Sequence, residues 1–240
     1  MNLNKLLPKY YGKRCFILGN GPSLGDIDIS LLQNEITIGV NNIMKSGFVP
    51  NFLVISDTNT LEKYSEDILN NKMKNGYYIL GNNPEFTENL IEKMKYFNNI
   101  KFVKHKEKTG VQYGQDKTKS IEFVRENFYI DDKLENYSCY GGSVVHDLAI
   151  PTALHLGFKN IYLLGCDGGF RHFFAKDGED DRVPNLVRKY GETRPYQYYE
   201  VIREILEKRD VNIYNSSPTN NFNELEYRDF IKVIRGEYYE

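Results

Sequence analysis

The chain has 240 residues with 31 basic and 33 acidic side chains, which gives a formal net charge of −2. This length suits one large domain, and the near-neutral charge excludes a general nucleic-acid binder, which needs a basic surface. Three cysteines are too few for a disulfide framework and fit a reducing compartment. The sequence shows no membrane-spanning apolar run and no secretory signal. We therefore expect a cytoplasmic protein. Peripheral contact with the inner face of a membrane and homo-oligomer formation are both compatible with this composition.

Short apolar runs rich in β-branched residues predict strands, and amphipathic patterns between them predict helices. The predicted strands lie at 14–18, 36–40, 52–57, 77–80, 100–103, 161–165 and 211–214. The predicted helices lie at 60–73, 86–97, 143–156 and 196–208. Pro151 should kink the third helix, because proline lacks an amide donor. Alternating strands and helices indicate an α/β fold, a single Rossmann-like domain over residues 1–240 with a mostly parallel sheet and helices on both faces.

Two polar stretches, near 104–137 and 170–195, interrupt this alternation. Long irregular segments in compact domains often act as lids over a site, so we expect lid-like elements there. A solvated surface insertion is the alternative interpretation of each stretch.

A glycine-rich turn follows the first predicted strand. Gly19 and Gly21 allow the backbone to approach a ligand closely, and exposed amides beside Asn20 and Ser23 predict a phosphate contact. The turn matches neither the GxGxxG nor the P-loop pattern. A purely structural turn is therefore the alternative.

Polar side chains also follow the next two strands. Asn41 and Asn42 come after the second strand, and Asp57 ends the third. Because α/β proteins bind ligands beyond the carboxyl ends of parallel strands, these residues predict a binding rim. Paired asparagines are also typical of a simple turn.

Two later turns carry further candidates. Gly142 and Ser143 precede the third predicted helix, where amides and the helix dipole favour an anion. Ser143 is also a good N-cap residue. Asp167 ends the sixth strand, where it binds a hydroxyl or a metal, or only folds the turn.

The remaining candidates lie in the region before the last long helix. His172 follows Asp167 by five residues and should lie over the rim. Tyr190 and Arg194 belong to a polar-aromatic cluster that suits phosphate oxygens, although such clusters are also typical of solvated surfaces. The histidines show no metal-ligand spacing, and no serine-hydrolase elbow occurs, so we expect no resident metal.

Three blocks of this sequence are familiar. The segment 16–24 resembles the opening motif of the glycosyltransferase family 42 sialyltransferases and that of the MptE-like 6-hydroxymethylpterin diphosphokinase family. Segments 142–145 with 156–167, and 212–218, are similar to later blocks that this superfamily shares. The resemblance implies a sialyltransferase-like domain that binds a CMP-sugar across the strand ends without a metal.

The resemblance also implies roles for individual residues. Asn20 and Ser23 match positions near the phosphate and ribose, and Asn41 matches the asparagine after the second strand. Ser143 matches the serine that opens the helix. Asp57 stands where the sialyltransferases place a further asparagine.

The general base is the main departure from that family. The sialyltransferases use a histidine before the last helix, and this chain has none there. By spacing, Glu192 lies near that place, and His172 is the other candidate base.

Three functions follow. The first is an inverting, metal-independent glycosyltransferase that moves a sugar from a CMP-linked donor to a surface glycan or glycolipid. The second is a diphosphokinase in which Asp57 and Asp167 hold Mg²⁺, since oxygen ligands suit that ion. The third is a non-catalytic nucleotide or glycan binding module. No nucleic acid is expected as a partner.

Overall fold

A computed structural model gives the architecture of the chain. It describes residues 6–56, 58–70, 73, 75–82, 92–94, 97–106, 122, 125, 130, 133–138, 143–169, 171–173, 198–218 and 224–238.

The described residues contain one parallel sheet of eight strands. The strands are β1 (Arg14–Leu18), β2 (Thr37–Val40), β3 (Phe52–Ile55), β4 (Tyr77–Asn82), β5 (Ile100–Lys106), β6 (Asn136–Ser138), β7 (Asn160–Leu164) and β8 (Asn212–Asn215). Their order across the sheet is β6-β5-β4-β3-β2-β1-β7-β8, and all seven neighbouring pairs are parallel. Central strands of a sheet covered on both faces are continuously apolar, which explains why the sequence predicted them as apolar runs.

The helices pack on both faces of this sheet. They are α1 (Leu7–Tyr10), α2 (Thr58–Leu69), α3 (144–155), α4 (Tyr199–Glu207) and α5 (Phe230–Ile234). Short 3₁₀ turns occupy Pro22–Asp26, Ile29–Leu32 and Ile43–Ser46. None of the helices in the described ranges has the length and apolar character needed to cross a membrane.

Each face of the sheet has its own apolar core, because successive side chains of a strand point to opposite faces. Cys15 and Ile17 of β1 join the core that α3 and α4 cover. Phe16 and Leu18 of the same strand join the core that α2 and α5 cover. The predicted arrangement, with helices on both faces of a parallel sheet, is confirmed.

The structure corrects the sequence interpretation in two places. The stretch near 104–137 is not wholly irregular, since β5 continues to Lys106 and β6 begins at Asn136. The expected kink at Pro151 takes another form: α3 opens with a π-helical turn, Val145–Ala149, before its α-helical part, Ile150–His155. Proline cannot donate to a carbonyl one turn earlier, and the π turn absorbs that loss before the helix becomes regular.

Some predicted elements lie outside the described residues. Of the helix expected over 86–97, only residues 92–94 are described as helical. The stretch 174–197 lies outside the described residues, and with it most of the second expected lid.

Candidate functional site

The strand order creates a switch point between β1 and β7. The chain runs from β1 outward through β2 to β6, whereas β7 is followed by β8 on the opposite side. Loops that leave neighbouring strands in opposite directions open a cleft at the carboxyl ends, which is where such folds bind ligands. The cleft is lined by Gly19, Asn20, Gly21, Val40, Asn41, Ser143, Val144, Val145, Gly165, Cys166, Asp167, Gly168, Gly169, Arg171, His172 and Tyr199.

The glycine-rich turn after β1 packs directly on the end of β7. The Gly19 and Gly21 amides donate to the carbonyls of Leu164 and Gly165, each at 2.7 Å. A Cβ on Gly19 would overlap the Gly165 carbonyl oxygen, so only glycine fits there. Both amides are therefore engaged at the end of β7, and the phosphate contact expected of the exposed amides of this turn stays a prediction.

The Asp167 side chain also holds the turn after β1 in place, through two hydrogen bonds. The Ser23 amide donates to Asp167 Oδ2 at 2.8 Å, and the Ser23 hydroxyl donates to Oδ1. Burial raises the pKa of the Asp167 carboxyl, an effect that the Ser23 hydrogen bonds oppose and the nearby Asp26 reinforces. The hydroxyl that Asp167 binds is thus that of Ser23, and each carboxylate oxygen accepts one hydrogen bond from that residue.

Cys166 lies in the floor of the cleft but is not activated. Its thiol is buried, and burial together with the neighbouring Asp167 charge raises its pKa far above the usual range. Because the thiolate is the reactive form, this cysteine is inert as a nucleophile.

The asparagines after β1 and β2 present acceptor oxygens. Asn20 Nδ2 donates to the Val40 carbonyl at 3.0 Å, which fixes the amide orientation. Within the described part of the chain, the buried oxygens Asn20 Oδ1, Asn41 Oδ1 and Asn42 Oδ1 have no hydrogen-bond partner. Asn41 has a left-handed backbone with φ +47°. Asn20 and Asn41 line the cleft, whereas Asn42 precedes the 3₁₀ turn Ile43–Ser46 and makes no side-chain cap.

The start of α3 also borders the cleft. Ser143, Val144 and Val145 line it, and the Ser143 carbonyl accepts from the Asp147 amide at 2.9 Å as the helix opens. The first amides of a helix have no partner within the helix, and its dipole makes that end positive. This wall therefore suits an anion.

The segment after β7 folds back over the turn after β1. The Phe173 amide donates to the Asn20 carbonyl at 2.9 Å, and this contact brings Arg171 and His172 to the cleft. The structure thus places His172 at the rim, where the sequence predicts it. Sequence reasoning misses Arg171, although its position beside His172 was a usable signal. No sequence feature predicted the other cleft residues Val145, Cys166 and Tyr199.

Five predicted site residues, Asp57, Gly142, Tyr190, Glu192 and Arg194, lie outside the described residues, so their roles stay predictions. Within the part of the chain that is described, no three His, Cys, Asp or Glu side chains are grouped as metal ligands.

Comparisons with known proteins add a family and a fold. The profile of the MptE-like family, described as 6-hydroxymethylpterin diphosphokinase MptE-like, matches residues 1–172. The solved structure of a MAf glycosyltransferase from Magnetospirillum magneticum AMB-1 is similar, with a TM-score of 0.53 and 16% identity. The similarity covers 91% of this chain and 34% of that one, so this chain spans about a third of that protein's length. No curated protein matches the chain.

The parallel sheet, its two covered faces and the cleft at the switch point define a Rossmann-like α/β fold. The chain belongs to the MptE-like family, whose profile covers residues 1–172 of its 240.

Proposed function

We propose that the chain is a glycosyltransferase that binds a nucleotide-activated sugar in the cleft between β1 and β7. The observation that carries this proposal is the convergence of two unlike kinds of polar group on one cleft. Asn20 and Asn41, whose side chains carry acceptor oxygens, line it together with the start of α3 at Ser143, which supplies amides. A ligand with hydroxyl donors and a phosphate suits both kinds of group, and nucleotide sugars have both.

The proposed reaction is a single inverting displacement. The acceptor hydroxyl oxygen forms a bond to the anomeric carbon while the bond from that carbon to the phosphate oxygen breaks. The hydroxyl proton passes to His172 at the rim, or to Glu192 in the alternative, and the electron pair leaves on the phosphate. The amides at the start of α3 and the guanidinium of Arg171 stabilise the charge that develops there.

The finer assignments within this proposal are a CMP-linked donor and a surface glycan or glycolipid acceptor, reached at the inner face of a membrane. They rest on the resemblance of segment 16–24 to the sialyltransferases. The fold similarity to a MAf glycosyltransferase supports the broader class. Tyr190 and Arg194 are proposed to hold the leaving phosphate.

Isothermal titration with CMP, CDP, UDP and ATP, each with and without EDTA, tests this function. We expect a cytidine or uridine nucleotide to bind and EDTA to leave its Kd unchanged. Absence of binding to all four nucleotides would overturn the proposal.

The family match favours a second candidate, a Mg²⁺-dependent diphosphokinase that acts on a pterin-like alcohol. This function predicts that ATP binds preferentially and that EDTA abolishes binding. In that function Asp167 and Asp57 would hold the ion, and Asp167 could do so while it accepts the Ser23 hydrogen bonds, because each carboxylate oxygen has two lone pairs. Nucleotide binding with no product from any acceptor would instead indicate a non-catalytic binding module.

A further inference from the structure

The end of β8 carries two polar atoms that no described function uses. Asn215 Nδ2 and Ser216 Oγ are buried, with residue exposures of 3% and 1%, and neither has a hydrogen-bond partner among the described residues. An unpartnered buried donor costs about 1–3 kcal/mol. Such atoms are typical of a site for a buried water or of a ligand site.

The orientation of the Asn215 amide is fixed by its neighbour. Asn215 Oδ1 accepts from the Ser217 amide at 3.1 Å, so the NH₂ group is the part left without a partner. Backbone pairing anchors the same strand end, since the Ser216 amide donates to the Leu163 carbonyl at 2.9 Å. The Asn215 amide group is therefore held in place at the strand end.

This strand end adjoins the cleft through one residue. Ser217 Oγ accepts from the Gly165 amide at 2.9 Å, and Gly165 lines the cleft. The ends of β1 and β8 are two strand spacings apart, roughly 10 Å. A nucleotide sugar that lies across the switch point would extend its glycosyl group over this distance.

The unpartnered atoms at the carboxyl edge of the sheet differ in hydrogen-bonding type between β1–β2 and β8. Toward β1 and β2 they are acceptor oxygens, on Asn20 and Asn41, whereas at β8 they are an amide donor and a hydroxyl. This polarity orients a ligand: groups that donate lie over β1 and β2, and groups rich in acceptor oxygens lie toward β8.

We propose that Asn215 Nδ2 and Ser216 Oγ form a subsite for the acceptor oxygens of the transferred glycosyl group. The inference rests on the proposed function, because it assumes that the nucleotide occupies the cleft beside it. It adds a place for the sugar, which neither the cleft lining nor the family resemblance assigns.

The Ser216→Ala variant gives a clean test, because it removes a hydroxyl that has no partner in the part of the chain that the structure describes. Ser217→Ala is the matched control, since its hydroxyl accepts from Gly165 and its loss should lower Tm. Titrations compare CMP with CMP-sialic acid, and UDP with UDP-N-acetylglucosamine. We expect Ser216→Ala to keep or raise the wild-type Tm, because an unpartnered buried hydroxyl destabilises the free protein, and to keep the wild-type Kd for the free nucleotide. The Kd for the sugar nucleotide should rise roughly 3- to 10-fold, the value of one hydrogen bond.

A second variant, Asn215→Asp, keeps the oxygen that accepts from Ser217 and replaces the donor by an acceptor. It should raise the Kd for the sugar nucleotide more than Ser216→Ala does. If Ser216→Ala instead lowers Tm as Ser217→Ala does and leaves the sugar nucleotide Kd unchanged, the site holds a structural water and the subsite is overturned. Wild-type protein that binds nucleotide and sugar nucleotide equally also overturns the subsite, while the proposed function survives. Wild-type protein that binds no nucleotide overturns both.

Discussion

Asp167 and Ser23, 144 residues apart in the chain, are joined by two hydrogen bonds at the carboxyl end of the sheet. The pair ties the turn after β1 to the turn after β7, the two loops that diverge at the switch point. It is buried, with Ser23 1% and Asp167 7% exposed. The floor of the cleft is therefore held by a side-chain clamp in addition to the sheet hydrogen bonds.

The first prediction concerns the pH dependence that this clamp introduces. Burial raises the folded-state pKa of Asp167, so the folded protein favours the protonated carboxyl more than the unfolded chain does. Protonated Asp167 therefore stabilises the folded protein at a pH below its pKa in the unfolded chain. This stabilisation is lost as the pH rises through its pKa in the folded protein. The Tm of Asp167→Asn minus that of wild type should therefore increase with pH above about 4, because the variant has no carboxyl to ionise.

Thermal unfolding of both proteins from pH 3.5 to 8 measures this difference. Glu66→Gln, an exposed acid-to-amide change on α2, is the control and should show little pH trend. A Tm difference for Asp167→Asn that falls as pH rises would mean that the Ser23 hydrogen bonds outweigh burial.

The second prediction concerns the close contact at Gly21. A Cβ there would overlap the Asp167 carboxylate and lie 2.8 Å from the Gly165 carbonyl oxygen. Gly21→Ala should therefore reduce the free energy of unfolding by about 1–3 kcal/mol, the usual cost of overpacking. Gly25→Ala is the matched control, since its Cβ would meet only Phe173 Cβ at 3.8 Å, an ordinary contact. Urea unfolding should separate the two variants, and equal midpoints would contradict the packing argument.

The same turn shows how far the sequence predicts this site. The apolar runs predicted the central strands and hence the edge where polar residues collect, because buried parallel strands leave a clear pattern. Glycines in a turn indicate that the backbone comes close to something, but they do not indicate whether this is another strand or a ligand. The sequence therefore could not distinguish the packing of Gly19 and Gly21 on the end of β7 from phosphate binding. The short edge strand β6 was missed because Asn136–Ser138 has no apolar run.

The third prediction separates the backbone role of Asn41 from its role toward a ligand. Its φ of +47° is unfavourable for most side chains, and glycine adopts it freely. Asn41→Gly should therefore keep the wild-type Tm, whereas Asn41→Ala should lose roughly 1 kcal/mol of stability. Both variants lack Oδ1, so both should weaken nucleotide binding to the same extent. Nucleotide affinity that instead tracks Tm across the two variants would leave Asn41 a structural role only.

The fourth prediction assigns the base by separating turnover from binding. His172 lines the cleft, and the Phe173 amide beside it is held by the Asn20 carbonyl, so the imidazole sits at the rim that an acceptor must cross. A general base contributes roughly 10²- to 10⁴-fold to the rate, so His172→Ala should lower kcat by that factor. The Kd for the nucleotide should stay within about twofold, because the base acts on the acceptor hydroxyl and not on the donor. Glu192→Gln is the parallel variant, and the same measurements on it decide between the two candidates. A His172→Ala enzyme with wild-type kcat and a raised KM would show that His172 only helps to bind the acceptor.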